Sequence, residues 1–151
     1  MRPYIHAHNF QWALDCSVGK GGQNSIRADV QYIQWYYKLA AANSETTPER
    51  RQIYQLVETT GQCTGLDSDP LVRAIAAHQQ AIGHPIIDGK VSAVPGGDSG
   101  NLKVSGNYTF FVFRIGARLA RMFPDKWPRL DLIKPCPSDV LEAVLKAVPK
   151  Y

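Results

Sequence analysis

Apolar side chains recur every three to four residues in several stretches of this chain, and most of those stretches carry a residue that starts or stops helices. Between Ile26 and Ala42 two such stripes lie side by side. Ile26, Val30, Ile33 and Tyr37 fall on one helical face, and Tyr32, Tyr36 and Leu39 form the stripe beside it. A helix apolar on more than one side is wrapped by its neighbours, so this one is expected at the centre, with Ser25 as its cap. A polar linker, Asn43 to Thr47, follows. Thr47-Pro48-Glu49 then has the grammar of a helix start: a capping hydroxyl, a proline at the first helical position and an acid in the first turn. Ile53, Leu56 and Val57 give that second helix its apolar face, and Gly61 is expected to stop it. A third helix begins at Asp69-Pro70, carries Leu71, Ile75, His78 and Ile82 on one side, and ends at Gly83.

Beyond Gly83 the pattern loosens. Pro85 to Gly106 is rich in turn formers, with short extended pieces at Ile86–Ile87 and Leu102–Val104. Thr109 to Phe123 suits a helix with Phe111, Ile115, Leu119 and Met122 inward, although Phe110 to Phe113 suits a buried strand equally well. If it is a helix, Arg114, Arg118 and Arg121 share a face: a solvated one first, an anionic docking surface second. A proline-punctuated connector, Pro124 to Pro137, leads to a last helix from Ser138 with Val140, Val144 and Leu145 inward. The first 24 residues mix aromatic and polar side chains and end in a glycine-rich turn, Gly19-Lys20-Gly21-Gly22-Gln23-Asn24.

The first and third helices repeat one another. Shifting Ile26 onto Leu71 also sets Val30 on Ile75, Ile33 on His78, Gln34 on Gln79 and Tyr37 on Ile82. Each helix is associated with a glycine turn, Gly61-Gln62-Cys63-Thr64-Gly65 and Asp88-Gly89-Lys90-Val91. A repeated helix and glycine turn suggests two related half-units packed together.

On these residues the chain resembles the peptidoglycan-binding domain-like family. The likeness runs through Gly19 to Asn24, Asp29-Val30-Gln31-Tyr32-Ile33-Gln34, Gly61 to Gly65, Ala74-Ile75-Ala76-Ala77-His78-Gln79, Gly83, Asp88 to Val91 and Pro95-Gly96-Gly97. His78 stands where the family usually has Phe, and Asp98-Ser99 where it usually has Thr. The resemblance implies a mainly α fold with little β structure, a three-helix bundle with an internal pseudo-repeat over residues 1–105; residues 106–151 lie outside the likeness, and their own pattern leads to the expectation of a helical extension packed on it. The resemblance implies Asp29, Gln34, Gln79, Asp88 and Gly89 as motif residues that build the fold. Asp88 is suited to accept backbone N–H groups across its turn, and Gly89 to take a positive φ there. It also implies affinity for bacterial cell-wall peptidoglycan, for which Arg27, Gln31, Trp35 and Arg73 are the candidate contacts.

Composition adds limits. With 151 residues, 44% hydrophobic and 20% charged, the chain suits one globular unit. A net charge of +4 is compatible with an anionic polymer, but the basic residues form no dense run, Arg50–Arg51 being the longest, and nucleic acid is not the expected partner. No stretch approaches the ~20 apolar residues of a membrane span. The N-terminus lacks the apolar core of a secretory signal, so synthesis in the cytosol is expected, with any export by a signal-independent route. Cys16, Cys63 and Cys136 contain no C-x-x-C pair; three free thiols are the expectation and a Cys16–Cys63 bridge the alternative.

Catalytic patterns are scarce. His6-x-His8 would need His78, His84, Asp15 or Asp88 to converge on it before it held a metal, so neither metal nor cofactor is expected. His78 reads as a core histidine. No G-x-S-x-G elbow or phosphate-binding loop is present, and an enzyme is the less favoured class. Trp35, Tyr36 and Tyr32 are read chiefly as core, with an exposed Trp35 stacking on a sugar or partner as the alternative. The expectation is therefore a non-catalytic domain that binds peptidoglycan. A cytosolic adaptor, immunity or structural protein of a bacterial secretion or effector system, type VI included, comes second, and a small wall-active hydrolase or toxin third.

Overall fold

The computed structural model describes residues 1–6, 9–95 and 110–147. Helices dominate it: α1 (Arg27–Ala42), α2 (Pro48–Tyr54), α3 (Pro70–Ala81), α4 (Phe111–Met122) and α5 (Ser138–Ala147). Two small antiparallel sheets accompany them. β1 (Arg2–His6) and β2 (Asn9–Ala13) form a hairpin with Arg2 opposite Ala13 and His6 opposite Asn9. β3 (Val18–Gly19) pairs with β4 (Lys90–Val91).

As its double stripe predicts, α1 is the wrapped helix. Every residue from Asp29 to Tyr37 is buried, and α2, α5 and β3 pack against it. The expectation that Ser25 caps it fails: the chain enters extended at Ile26, which takes the N-cap position without a side-chain cap, and Ile26 is exposed rather than inward. Asp29, in the first turn, faces inward and accepts from the backbone N–H groups of Asp15 and Cys16 and from the Met1 amine. The predicted caps of the next two helices hold. Thr47 accepts from the Arg50 N–H ahead of Pro48, and Asp69 from the Leu71 N–H ahead of Pro70.

Other expectations are corrected. α2 stops at Tyr54 instead of running to Gly61, because Gln31, Arg27 and Gln34 on α1 take hydrogen bonds with the backbone of Thr59, Thr60 and Gly61 and draw that segment out of the helix. Leu56 consequently points to solvent. Ile86–Ile87 forms no strand, and Leu102–Val104 lies outside the described residues. Phe111 to Met122 is a helix, not a strand. On α5, Val140 and Val144 are inward as expected, but Leu145 is 52% exposed, because one further residue rotates it ~100° away from Val144. The β1–β2 hairpin, unannounced in the sequence pattern, lays Tyr4 and Trp12 into the core; Trp12 donates from its indole to the Pro128 carbonyl and Tyr4 packs on Phe113.

Two glutamines hold two glycine turns. Gln34 Oε1 accepts from Gly61 N at 2.8 Å, while its Nε2 donates to the Gln62 carbonyl at 2.8 Å and to Thr60 Oγ1 at 3.2 Å. Gln79 Oε1 accepts from Asp88 N and Gly89 N at 3.1 and 2.9 Å, and its Nε2 donates to the Lys90 carbonyl and Asp88 Oδ1. Asp88 Oδ1 accepts from Lys90 N across the turn, and Gly89 has a φ of 68°, both as the motif implies. A side chain at Gly19 would collide with the Gly89 carbonyl, so the β3–β4 crossing requires glycine there. One apolar core joins the hairpin, α1, α3, α4 and α5, so the segment 110–147 packs on the same core as the residues before it.

The loop between α1 and α2 is anchored from below. Arg51 donates to the carbonyls of Ala41, Asn43 and Thr46, and the Thr46 hydroxyl donates to the Ala40 carbonyl at 2.6 Å. The bonds to Ala40, Ala41 and Asn43 satisfy carbonyls that the end of α1 leaves without intrahelical partners.

Candidate functional site: an arginine-lined cleft

Of the four residues proposed as ligand contacts, two are buried and two are exposed. Trp35 is 2% exposed, so it packs in the core and offers no face for stacking. Gln31, 4% exposed, reaches α5: its Oε1 accepts from Asp139 N and Val140 N at 2.8 and 3.2 Å, and its Nε2 donates to the Thr59 carbonyl. It caps a helix 108 residues away in sequence, with both its amide oxygen and its amide nitrogen engaged in the interior. Arg27 is exposed but engaged with Asp139 Oδ2 at 3.4 Å and with the Thr60 carbonyl. Arg73 is exposed on α3. These four do not converge on one site. Asp29, Gln34, Gln79, Asp88 and Gly89 build turns and joints, as described above.

A cleft of about 400 Å³ opens elsewhere, between the α1–α2 loop, α2, α3 and α4. Arg114, Arg118 and Arg121 line it from one face of α4, the spacing that makes them helical neighbours. Arg50 lines it from α2, and Glu45 from the loop is the sole carboxylate among the described lining residues. Glu45 Oε2 accepts from Arg118 at 2.5 Å and from Arg121 at 3.3 Å, which holds its carboxyl below the usual range, chiefly through the Arg118 hydrogen bond. Arg50 donates to Thr47 Oγ1 at 3.2 Å. Among the described residues neither Arg50 nor Arg114 has a carboxylate partner.

The floor is aromatic. Tyr36 and Tyr54 flank His78, whose ring stacks on Tyr36 at 5.5 Å and meets Phe111 edge-on at 4.9 Å. His78 Nδ1 shares a hydrogen bond with the buried Tyr37 hydroxyl at 3.1 Å. Burial first, and then the positive charges of Arg50, Arg118, His84 and Arg114, push His78 down to about 4, so it is neutral at physiological pH. Burial also raises the hydroxyls of Tyr36 and Tyr54, which stay protonated. The charge of the cleft therefore comes from its guanidiniums, over a neutral floor.

Chemically this arrangement favours holding an anion over transforming one. Guanidiniums are always charged, match carboxylate and phosphate as planar forks, and do not exchange protons near neutral pH. Cys63 and Cys136 are each raised to about 11 by burial and are poor nucleophiles. All three cysteines are unbridged. Among the described residues no three His, Cys, Asp or Glu side chains gather to hold a metal; His8 lies outside those residues. No described helix is long and apolar enough to cross a membrane.

The Arg114, Arg118 and Arg121 stripe is legible in the sequence as a helical spacing, but its companions Arg50, Glu45 and Tyr54 are not. The Arg50–Arg51 pair was the available signal, since one of the two would have to face away from the other. No family model matches the chain, and neither a curated protein nor a solved structure matches it.

Proposed function

We propose that this protein is a non-catalytic recognition domain that holds bacterial cell-wall peptidoglycan through anionic groups seated in the arginine cleft. The observation that carries the reading is the cleft itself: four guanidiniums facing one carboxylate over a neutral aromatic floor. The choice of peptidoglycan is supported by the resemblance and by Gln34 and Gln79, which clasp glycine turns in the same way from equivalent points on α1 and α3. That correspondence is the one expected of a bundle with an internal pseudo-repeat. Sedimentation with purified peptidoglycan tests the reading. The wild type pellets with the wall, and an Arg50→Ala, Arg114→Ala double variant stays in the supernatant; a wild type that stays in the supernatant ends the proposal.

A second reading, an adaptor that docks a protein, is favoured by one observation. Ile86 and Ile87 are 57% and 55% exposed just after α3, following the exposed Ile82 of the cleft rim. On that reading a partner co-purifies with the wild type and is lost from an Ile86→Asp, Ile87→Asp variant.

A further inference from the structure

The α1–α2 loop brings Glu45 to the mouth of the arginine cleft, where one carboxylate oxygen bridges Arg118 and Arg121. Those arginines are three residues apart on α4, and Arg114 lies on the same face one turn before Arg118. Two guanidiniums converging on one oxygen make a carboxylate seat that is already formed, and Arg114 and Arg50 extend it with charges that no carboxylate among the described residues offsets.

Glu45 is not needed to hold its own loop. Arg51 and Thr46 fix the loop backbone through four hydrogen bonds that do not involve the Glu45 side chain. The Glu45 side chain is 62% exposed, and rotation about its own bonds is enough to carry it into solvent. An exposed ion pair is weak, because water screens it and ordering two long side chains opposes it. The contact is therefore one that an arriving carboxylate can replace without unfolding anything.

Resting on the peptidoglycan reading, we propose that Glu45 is an internal stand-in for the ligand: it occupies the Arg118–Arg121 seat until a carboxylate of the wall's stem peptide displaces it. The ligand group is accordingly a carboxylate, the chemistry the seat already holds. Glu45 sets the affinity, because wall binding is reduced by the fraction of time that it keeps the seat filled. Emptying the seat tightens binding by about two- to five-fold, the range that weak exposed ion pairs allow.

The test compares sedimentation of Glu45→Gln with that of Glu142→Gln, which changes the net charge equally on α5, away from the cleft. Glu45→Gln is expected to bind peptidoglycan about two- to five-fold more tightly than both Glu142→Gln and the wild type. On peptidoglycan whose stem-peptide carboxylates have been amidated, that advantage disappears. Equal binding by the two variants, weaker binding by Glu45→Gln, or an advantage that survives amidation overturns the proposal. If the wild type does not pellet at all, the wall reading is wrong and citrate decides the matter. Followed through the His78 ring resonances, citrate then saturates Glu45→Gln at lower concentration than Glu142→Gln if Glu45 is a stand-in, and at the same concentration if it is not.

Discussion

Ile33-Gln34 on α1 and His78-Gln79 on α3 occupy corresponding places, and the difference between them separates architecture from site. Both glutamines do the same work, each joining its helix to the backbone of a glycine turn. The residues before them diverge. Ile33 is fully buried among apolar neighbours, whereas His78 is 6% exposed and forms the floor of the arginine cleft. Matching glutamines therefore hold two turns, while the residues before them go one to the core and one to the cleft. A polar ring at a core position is costly unless it is partnered, and the Tyr37 hydroxyl partners it.

The largest effect expected on this comparison is acid sensitivity at His78. Its folded pKa of about 4 lies below the ordinary value of 6.5, so the unfolded chain binds the proton more readily. The stabilisation is complete above about pH 6.5 and is lost as pH falls toward 4, by about 3 kcal/mol across that window. The groups facing His78 are Tyr36 and Tyr37 on α1, Arg50 and Tyr54 on α2, Phe111, Arg114 and Arg118 on α4, and His84 beyond α3. His78→Phe is expected to lose about 1 kcal/mol at neutral pH, where Tyr37 is left without its partner, and to lack this part of the acid loss. Urea unfolding of both proteins at pH 7 and pH 5 checks it; parallel pH profiles would refute it.

Next come the glutamines. Gln79→Ala leaves the buried Gly89 N–H and the Lys90 carbonyl unpartnered and should cost about 2 kcal/mol, lowering Tm by roughly 4–8 °C. Gln34→Ala should cost less, about 1 kcal/mol, because Thr60 Oγ1 already bonds Gln62 N and its carbonyl and closes that turn in part. Thermal unfolding orders the two, and equal shifts would mean that the turns depend equally on their clasps. The smallest stability effect belongs to Arg114→Ala, within about 0.5 kcal/mol on an exposed face. The same substitution should nonetheless weaken retention on peptidoglycan, and unchanged retention would detach Arg114 from the site.

What could be read in the sequence was mostly local. α2 and α3 are announced by a capping side chain followed by proline, and α4 by periodicity once its strand alternative is set aside. Ser25 misled because a hydroxyl caps only if the chain arrives in the right conformation, and here the chain is extended through Ile26. The β1–β2 hairpin escaped notice because Ile5 faces solvent between the inward Tyr4 and the hairpin turn, which blurs the alternation that marks strands. The site was half legible. The arginine stripe is a helical spacing, but its meeting with Glu45, 73 residues away, exists only in the fold. Trp35 and Gln31 show the converse: residue types suited to ligands were absorbed by a helix buried on all sides.

The Arg51 staple under the α1–α2 loop has a kinetic consequence. Because it fixes the backbone around Glu45, vacating the Arg118–Arg121 seat takes a side-chain rotamer change of picoseconds to nanoseconds, not a loop opening of microseconds. On the proposed reading, the cleft would not stay shut long enough to delay an incoming anion. Its encounter rate is left to diffusion and to the attraction of four guanidiniums, and should fall steeply as salt is added.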